Sequence, residues 1–288
     1  MSVMDKLEIR KYQMAQLKLL DYFDNVCREM HLTYFLVFGT LLGAIRHKGF
    51  IPWDADIDVA MYRTDYEAFH SYFIKQPDPN LFYEHYENEK NHISPHAILR
   101  IKGTHVIFGN RSLRGIKGQN DGIYIDIFPI DNVEDPELTE VKQVKKITDL
   151  RRLVYLKTAI DYDHTNNHLK NIGKLSVSFA LSPISYHFLN QKTDKIMNMY
   201  NNIPTDYVSM LTDPLVYRKQ LYPRNVFGSG KEAEFEGHMY FVPNEPEQFL
   251  TIRYGDYMKL PPESERWKFI ETVIESVDYG NTTFLSGI

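Results

Sequence analysis

Asp54, Asp56 and Asp58 stand at alternate positions in the string Ile51-Pro-Trp-Asp-Ala-Asp-Ile-Asp58, and no other residues in the chain are spaced so well for chemistry. Alternate residues of an extended segment share a face, roughly 6–7 Å apart along the chain. The spacing therefore predicts a strand with three carboxylates on one face and Trp53, Ala55, Ile57 and Val59 on the other. Like charges that are partly buried destabilise a fold or take up protons unless a cation sits among them. Hard oxygen ligands select Mg²⁺ or Mn²⁺, and Mg²⁺ is commonly shared between carboxylates and substrate phosphates. A solvated acidic turn is the plainer alternative. Upstream, Gly39-Thr40 follows the apolar run Tyr34–Phe38 and precedes an apolar helical start at Leu41. A glycine turn opening into a helix lets backbone N–H groups approach a phosphate.

Further residues bear on the same chemistry. Asp126 lies inside the β-prone run Ile123–Asp131, where a lone carboxylate needs a partner. Asp131, after Pro129, reads equally as a functional acid or as a cap. Arg46, His47 and Lys48 form a cationic trio that could bind a diphosphate or balance the acids. Arg111 to Gln119 reads as a solvated basic loop, with an anion contact as the sharper alternative. His92 and His96 have helical zinc spacing, but Pro95 between them argues against a helix and against that metal. Gly228-Ser-Gly-Lys231 lacks the leading Gly and trailing Ser or Thr of a phosphate loop. Tyr254, Asp256 and Tyr257 read either as substrate contacts or as a turn with aromatic packing.

Taken together, Gly39-Thr-Leu-Leu-Gly-Ala-Ile-Arg-His47, Ile51-Pro-Trp-Asp54-x-Asp56-Ile-Asp58 and Ile125-Asp-Ile-Phe-Pro129 resemble the LicD family of the nucleotidyltransferase superfamily. Phe235-Glu-Gly237, Phe241-Val-Pro243 and Tyr254-Gly-Asp-Tyr-Met258 through Pro262 are similar to it as well. Fukutin-type phosphoribitol transferases are related. The resemblance covers roughly residues 8–60, 95–132 and 218–268, and many relatives carry Asp where this chain has Ala55. It implies an α+β fold, a nucleotidyltransferase-like mixed sheet flanked by helices, with a mainly helical C-terminal part. It also implies transfer of phosphocholine from CDP-choline to a hydroxyl of a cell-surface glycan or teichoic acid precursor, with release of CMP. Two Mg²⁺ or Mn²⁺ ions would bridge Asp56, Asp58 and Asp126, with Asp54 as ligand or base. Gly39 and Thr40 would position the diphosphate, and Arg46, His47, Tyr254 and Asp256 would contact substrate. Another CDP-alcohol such as CDP-ribitol, nucleotidyl transfer to a small molecule, and a non-catalytic glycan-binding relic are the competing readings. The glycan or lipid-linked acceptor is the expected partner.

The elements that must position these residues follow from periodicity. Met14, Leu17, Leu20, Phe23, Cys27 and Met30 mark one face of a helix over about 5–30. Strands are predicted over 34–38, 82–85, 98–101, 104–108 and 123–131, and a helix around 66–73 capped by Thr64 or Asp65. Beyond Asp135-Pro136 helices are predicted over 138–157 and 175–202, broken at Pro183, with the polar stretch 161–171 between them. The expected division is a catalytic core over 1–135 and a substrate-covering region over 136–288, whose C-terminal strand pair returns to the core. With 288 residues, 43% hydrophobic and 25% charged, the chain has a globular balance. Its 20 Tyr and 17 Phe suit either core packing or an aromatic cage for a quaternary ammonium. A net charge of −5 without a basic block argues against nucleic acid as a partner. The single cysteine, Cys27, excludes an internal disulfide and a multi-Cys zinc site and fits a reducing cytoplasm. No apolar run is long enough to span a bilayer, which leaves peripheral membrane attachment open.

Overall fold

A computed structural model describes residues 6–108, 121–134, 136–158, 173, 176–212, 219–266 and 274–287. The basic loop expected at Arg111–Gln119 and the polar stretch at 161–171 lie outside these residues. The predicted amphipathic helix forms as α1, Lys6–Glu29, with Tyr12, Leu19, Leu20, Phe23 and Cys27 wholly buried. Burying a Leu or Phe side chain contributes about 1.5–3 kcal/mol, so this stripe anchors the helix across the sheet. Cys27 is a buried free thiol whose pKa burial raises, as expected of a packing residue.

The sheet is mixed, and helices pack on it. Its strands are β1 (Phe35–Leu36), β2 (Asp58–Tyr62), β3 (Leu81–Glu84), β4 (Ala97–Ile101) and β6 (Tyr124–Val133), in the order β1-β2-β6-β4-β3. β2 and β6 are parallel, and β1–β2, β4–β6 and β3–β4 are antiparallel. The far end of β6 continues into β7 (Tyr207–Ser209) and β8 (Leu221–Pro223), completing seven strands. β5 (His105–Phe108) pairs instead with β11 (Ile274–Asp278). The predicted C-terminal strand pair is the hairpin of β9 (Lys231–Phe235) and β10 (His238–Val242). Helices α2 (Phe38–His47) and α3 (Arg63–Lys75) follow β1 and β2. Next come α4 (Pro136–Thr139), a π-helical segment at Glu140–Val144, α5 (Lys145–Thr158), α6 (Tyr186–Met197) and α7 (Pro246–Tyr254). α6 starts after Pro183, with the Ser185 hydroxyl accepting from Phe188 N–H as its cap.

Three local expectations are corrected. The acidic segment is not a strand throughout, since β2 begins only at Asp58. Asp54 N–H closes a turn on Ile51 O, and α1 side chains take the carbonyls a neighbouring strand would use. Gln13 Nε2 donates to Ile51 O and Asp54 O, and Gln16 Nε2 donates to Ala55 O and Tyr124 O. Second, Gly39 and Thr40 lie inside the first turn of α2, which starts at Phe38 with φ +49°. That conformation costs an L-residue about 1–2 kcal/mol. Third, α3 has no side-chain cap, and Asp65 accepts from Thr33 N–H instead.

Asp131 serves neither as an acid for chemistry nor as a helix cap. It is wholly buried and holds Arg63 through two bonds of 2.7 Å, while Arg63 also bonds Asp194 of α6 at 2.7 Å. Removing one member of a buried pair strands the other charge and typically costs about 3–5 kcal/mol. Asp131→Ala is expected to lose stability of about that size in urea unfolding, and Arg63→Met with Asp131→Leu together less than either single change.

Candidate active site

Parallel pairing of β2 and β6 sets Asp58 opposite Asp126. Neighbouring strands are about 4.8 Å apart, so these two carboxylates leave the sheet side by side. Asp126 N–H bonds Ile57 O at 2.9 Å, and Asp58 N–H bonds Thr40 Oγ1 at 2.9 Å, which ties α2 to the acidic segment. Thr40 is thus buried against the backbone of Asp58, not turned out to solvent. Gly39 matters here for a different reason from turn geometry. A Cβ on it would collide with the Asp54 carboxylate and lie 3.9 Å from Asp56 Oδ1. The N-terminal turn of α2 therefore sits directly against the acids, and no side chain caps it.

The acids repel one another. Burial, then Asp54 and Asp58, holds the Asp56 carboxyl well above the usual carboxylate range. Burial, then Asp126 and Asp54, raises Asp58, with Arg253 opposing. Asp54 is raised by burial, partly offset by its hydrogen bonds with the Asp56 side chain and Ala55 N–H. Two carboxyls that hydrogen-bond to each other need a proton or a cation between them. Such oxygen-only donors fit a hard divalent cation such as Mg²⁺ or Mn²⁺.

The remaining expected residues divide. Tyr254, at the end of α7, lies beside Arg253 and within the electrostatic reach of Asp58 and Asp54. Asp256 is exposed in the turn beyond it. Arg46 and His47 are at the opposite end of α2 from Gly39, about 10 Å along its axis. Arg46 Nη1 donates to Tyr257 O at 2.6 Å, fastening that turn, and burial lowers the pKa of both Arg46 and His47. The His47 ring meets Trp53 edge-on, and the Arg266 guanidinium lies 5.2 Å from the Trp53 ring centroid.

Four participants escaped the sequence reading. Gln13 and Gln16 were visible only as polar interruptions of a buried helical face. His96 places Nε2 3.2 Å from Asp126 Oδ1 and packs its ring on Phe128. His92 instead bonds Glu84 at 2.8 Å, so the two histidines share no metal, in line with the sequence argument. Arg253 had no signal beyond standing before Tyr254.

His70, His85 and Glu87 form a separate donor group, with ligand atoms within 4.8 Å of one another, that could hold a metal ion. Burial, with His70 and His92, pulls His85 down to about 2, keeping that imidazole neutral. Its nitrogen-rich composition suits a softer ion than the four aspartates do. A groove of about 760 Å³ lined by Tyr62, Thr205 and Arg224 opens at the other end of β2, and Arg224 spends its donors on Thr205 and Asn132.

A mixed sheet presenting paired aspartates beside an uncapped helix defines a nucleotidyltransferase-like phosphotransferase. The sequence model described as LicD/FKTN/FKRP, nucleotidyltransferase domain, matches residues 31–160. The chain is 32% identical over 266 residues to the lipopolysaccharide cholinephosphotransferase LicD of Haemophilus influenzae, covering 91% of this chain and 96% of that protein. Shorter similarity, 30% and 31% over 64 residues, links it to uncharacterized proteins of Rickettsia typhi and Rickettsia prowazekii. The chain belongs to the LicD family and is an enzyme of the phosphotransferase type.

The acids give a stability test. A carboxyl whose folded pKa is raised contributes stability that is full below its unfolded pKa, near 4, and is lost as pH rises through the folded value. With chelator present, the melting temperature is expected to fall as pH rises above the ordinary carboxylate range, at about 2–4 °C per kcal/mol. Asp58→Asn should flatten that fall, and Mg²⁺ should restore the wild-type midpoint at the higher pH but not that of the variant. Identical pH slopes in thermal melts of the two proteins would contradict the assignment.

Proposed function

We propose that this enzyme transfers phosphocholine from CDP-choline to a hydroxyl of a cell-surface glycan or its lipid-linked precursor, releasing CMP. The observation that carries the reading is the gathering of Asp54, Asp56, Asp58 and Asp126 against the first turn of α2. Its likeness to a lipopolysaccharide cholinephosphotransferase along nearly the whole chain supports the donor and the acceptor class. Asp56, Asp58 and Asp126 would hold Mg²⁺ or Mn²⁺, which when bound neutralises charge on the diphosphate and on the leaving group. Gly39 and Thr40 N–H groups, at the positive end of α2, orient the diphosphate. The acceptor oxygen attacks the phosphorus bonded to choline, and the bond from that phosphorus to the bridging oxygen breaks, leaving with CMP. Asp54 takes the hydroxyl proton, burial having raised its proton affinity above that of an ordinary carboxylate. Tyr254, within the electrostatic reach of Asp58 and Asp54, offers its ring to the ammonium group.

Residues 1–135 act as the catalytic core and 136–288 as the region that covers the substrate. No helix of the described residues is long and apolar enough to cross a membrane. The single cysteine supports a reducing cytoplasm as the place of reaction, with peripheral attachment bringing the enzyme to a lipid-linked acceptor.

Purified enzyme with Mg²⁺ should release CMP from CDP-choline, faster than from CDP-ribitol, when given a glycan acceptor. Chelation should stop it, and Asp58→Ala or Asp126→Ala should each slow it by about 10³-fold or more. Release of pyrophosphate from a nucleoside triphosphate, with no CMP from either CDP-alcohol, would refute the reading.

A further inference from the structure

Among the described residues, arginines set into the protein spend their donors on partners within it: Arg63 on Asp131 and Asp194, Arg100 on Glu84, Arg151 on Ile93 O and Asn190. Arg253, which reaches the Tyr254 side chain, keeps one donor unspent. Its Nη1 is buried and has no hydrogen-bond partner among the described residues. A buried donor left unmade is costly, more so for a charged group, so such atoms call for an explanation in function. The guanidinium lies 4.8 Å from the centroid of the Phe38 ring, over the residue that opens α2. Phe38 is itself wedged against Phe128 of β6 and Phe249 of α7, at 5.3 and 6.3 Å between centroids. Phe249 in turn stacks on Tyr222 at 4.3 Å, so the platform beneath the guanidinium is rigid. The charge of Arg253 also reaches Asp58 and Tyr254. One unpaired guanidinium nitrogen therefore stands where the uncapped turn of α2, the acids and α7 meet.

We propose that Arg253 is a substrate-binding residue that grips a phosphoryl oxygen of the donor's diphosphate, opposite the N–H groups of Gly39 and Thr40. The inference rests on the diphosphate reading of the acid cluster given above. Guanidinium is suited to the task because it is planar, always charged and able to donate in parallel to two oxygens, while its face lies on an aromatic ring. An ammonium at the same place keeps the charge but loses the fork. Asp58 cannot satisfy Arg253 and hold a cation equally well, so a phosphate oxygen is the fitting partner for the free nitrogen.

The test uses the full chain as wild type, Arg253→Met and Arg253→Lys. The methionine keeps the packing stem over Phe38 without donors. Three quantities are read: Mn²⁺ binding by electron paramagnetic resonance, pyrophosphate binding by calorimetry with Mg²⁺ present, and kinetics of CMP release from CDP-choline. The expected result is unchanged Mn²⁺ binding in Arg253→Met, pyrophosphate affinity reduced at least about tenfold, and kcat/KM reduced by about 10²–10³-fold. Arg253→Lys should recover part of both losses. Pyrophosphate binding equal to wild type in Arg253→Met would overturn the proposal, as would loss of Mn²⁺ binding together with a collapsed melting temperature, which marks a packing role. Failure of the wild type to bind pyrophosphate would overturn it too. If the wild type releases no CMP while Arg253 still governs pyrophosphate binding, the donor assignment falls and Arg253 stands.

Discussion

Four carboxylates crowded into one partly buried space are the constraint from which the rest of this structure follows. Mutual repulsion and burial both favour the neutral form of Asp56 and Asp58, and the fold holds the segments bearing the acids in place through their backbone. The amides of Gln13 and Gln16 pin the segment that bears Asp54 and Asp56, the Thr40 hydroxyl pins Asp58, and Ile57 O pins Asp126. These contacts commit the backbone, and the carboxylates meet one another and His96 instead. Catalytic sites need such preorganisation, because a group that must rearrange during the reaction loses much of its electrostatic value.

Other buried charges in the molecule are treated in the opposite way. Arg63 is neutralised by Asp131 and Asp194, and Glu84 by Arg100, each acid meeting a guanidinium within the protein. These pairs link α3 to α6 and β3 to β4, so their charge is spent on architecture. At the α2 end of the sheet the balance is deliberately incomplete. Among the described residues, one buried arginine nitrogen lacks a partner beside the four acids, and one histidine stands 3.2 Å from Asp126. Charge left over in this manner is what distinguishes a binding site from a structural ion pair.

The chain's aromatic wealth is mostly structural. Phe23, Tyr34, Phe69, Phe73 and Tyr83 form a chain of ring contacts between α1, α3 and β3, and Phe35, Phe227, Tyr222 and Phe249 form another behind α2. Only a few rings, among them Trp53 and Tyr254, border the acids. Composition could not separate these uses, because both draw on the same flat, polarisable side chains.

The sequence by itself determined what periodicity and local chemistry encode. The apolar stripe of α1, the short strands and the hairpin near the C-terminus were legible, because burial of one face leaves a repeating mark. So were the acidic triplet, the lone Asp126 and the family to which they belong. Tertiary structure alone decided which polar groups meet. Asp58 and Asp126 are 68 residues apart in sequence and become neighbours through strand register, which one residue of slip would reverse. The side-chain hydrogen bonds of α1 keep Asp54 and Asp56 out of the sheet, a choice that alternation cannot foresee. Asp131 was turned into a structural anion by Arg63, and Arg253 and His96 were brought to the acids from loops and helix ends without any local signature. Long-range electrostatics is a property of distance in space, and spacing along the chain carries little of it.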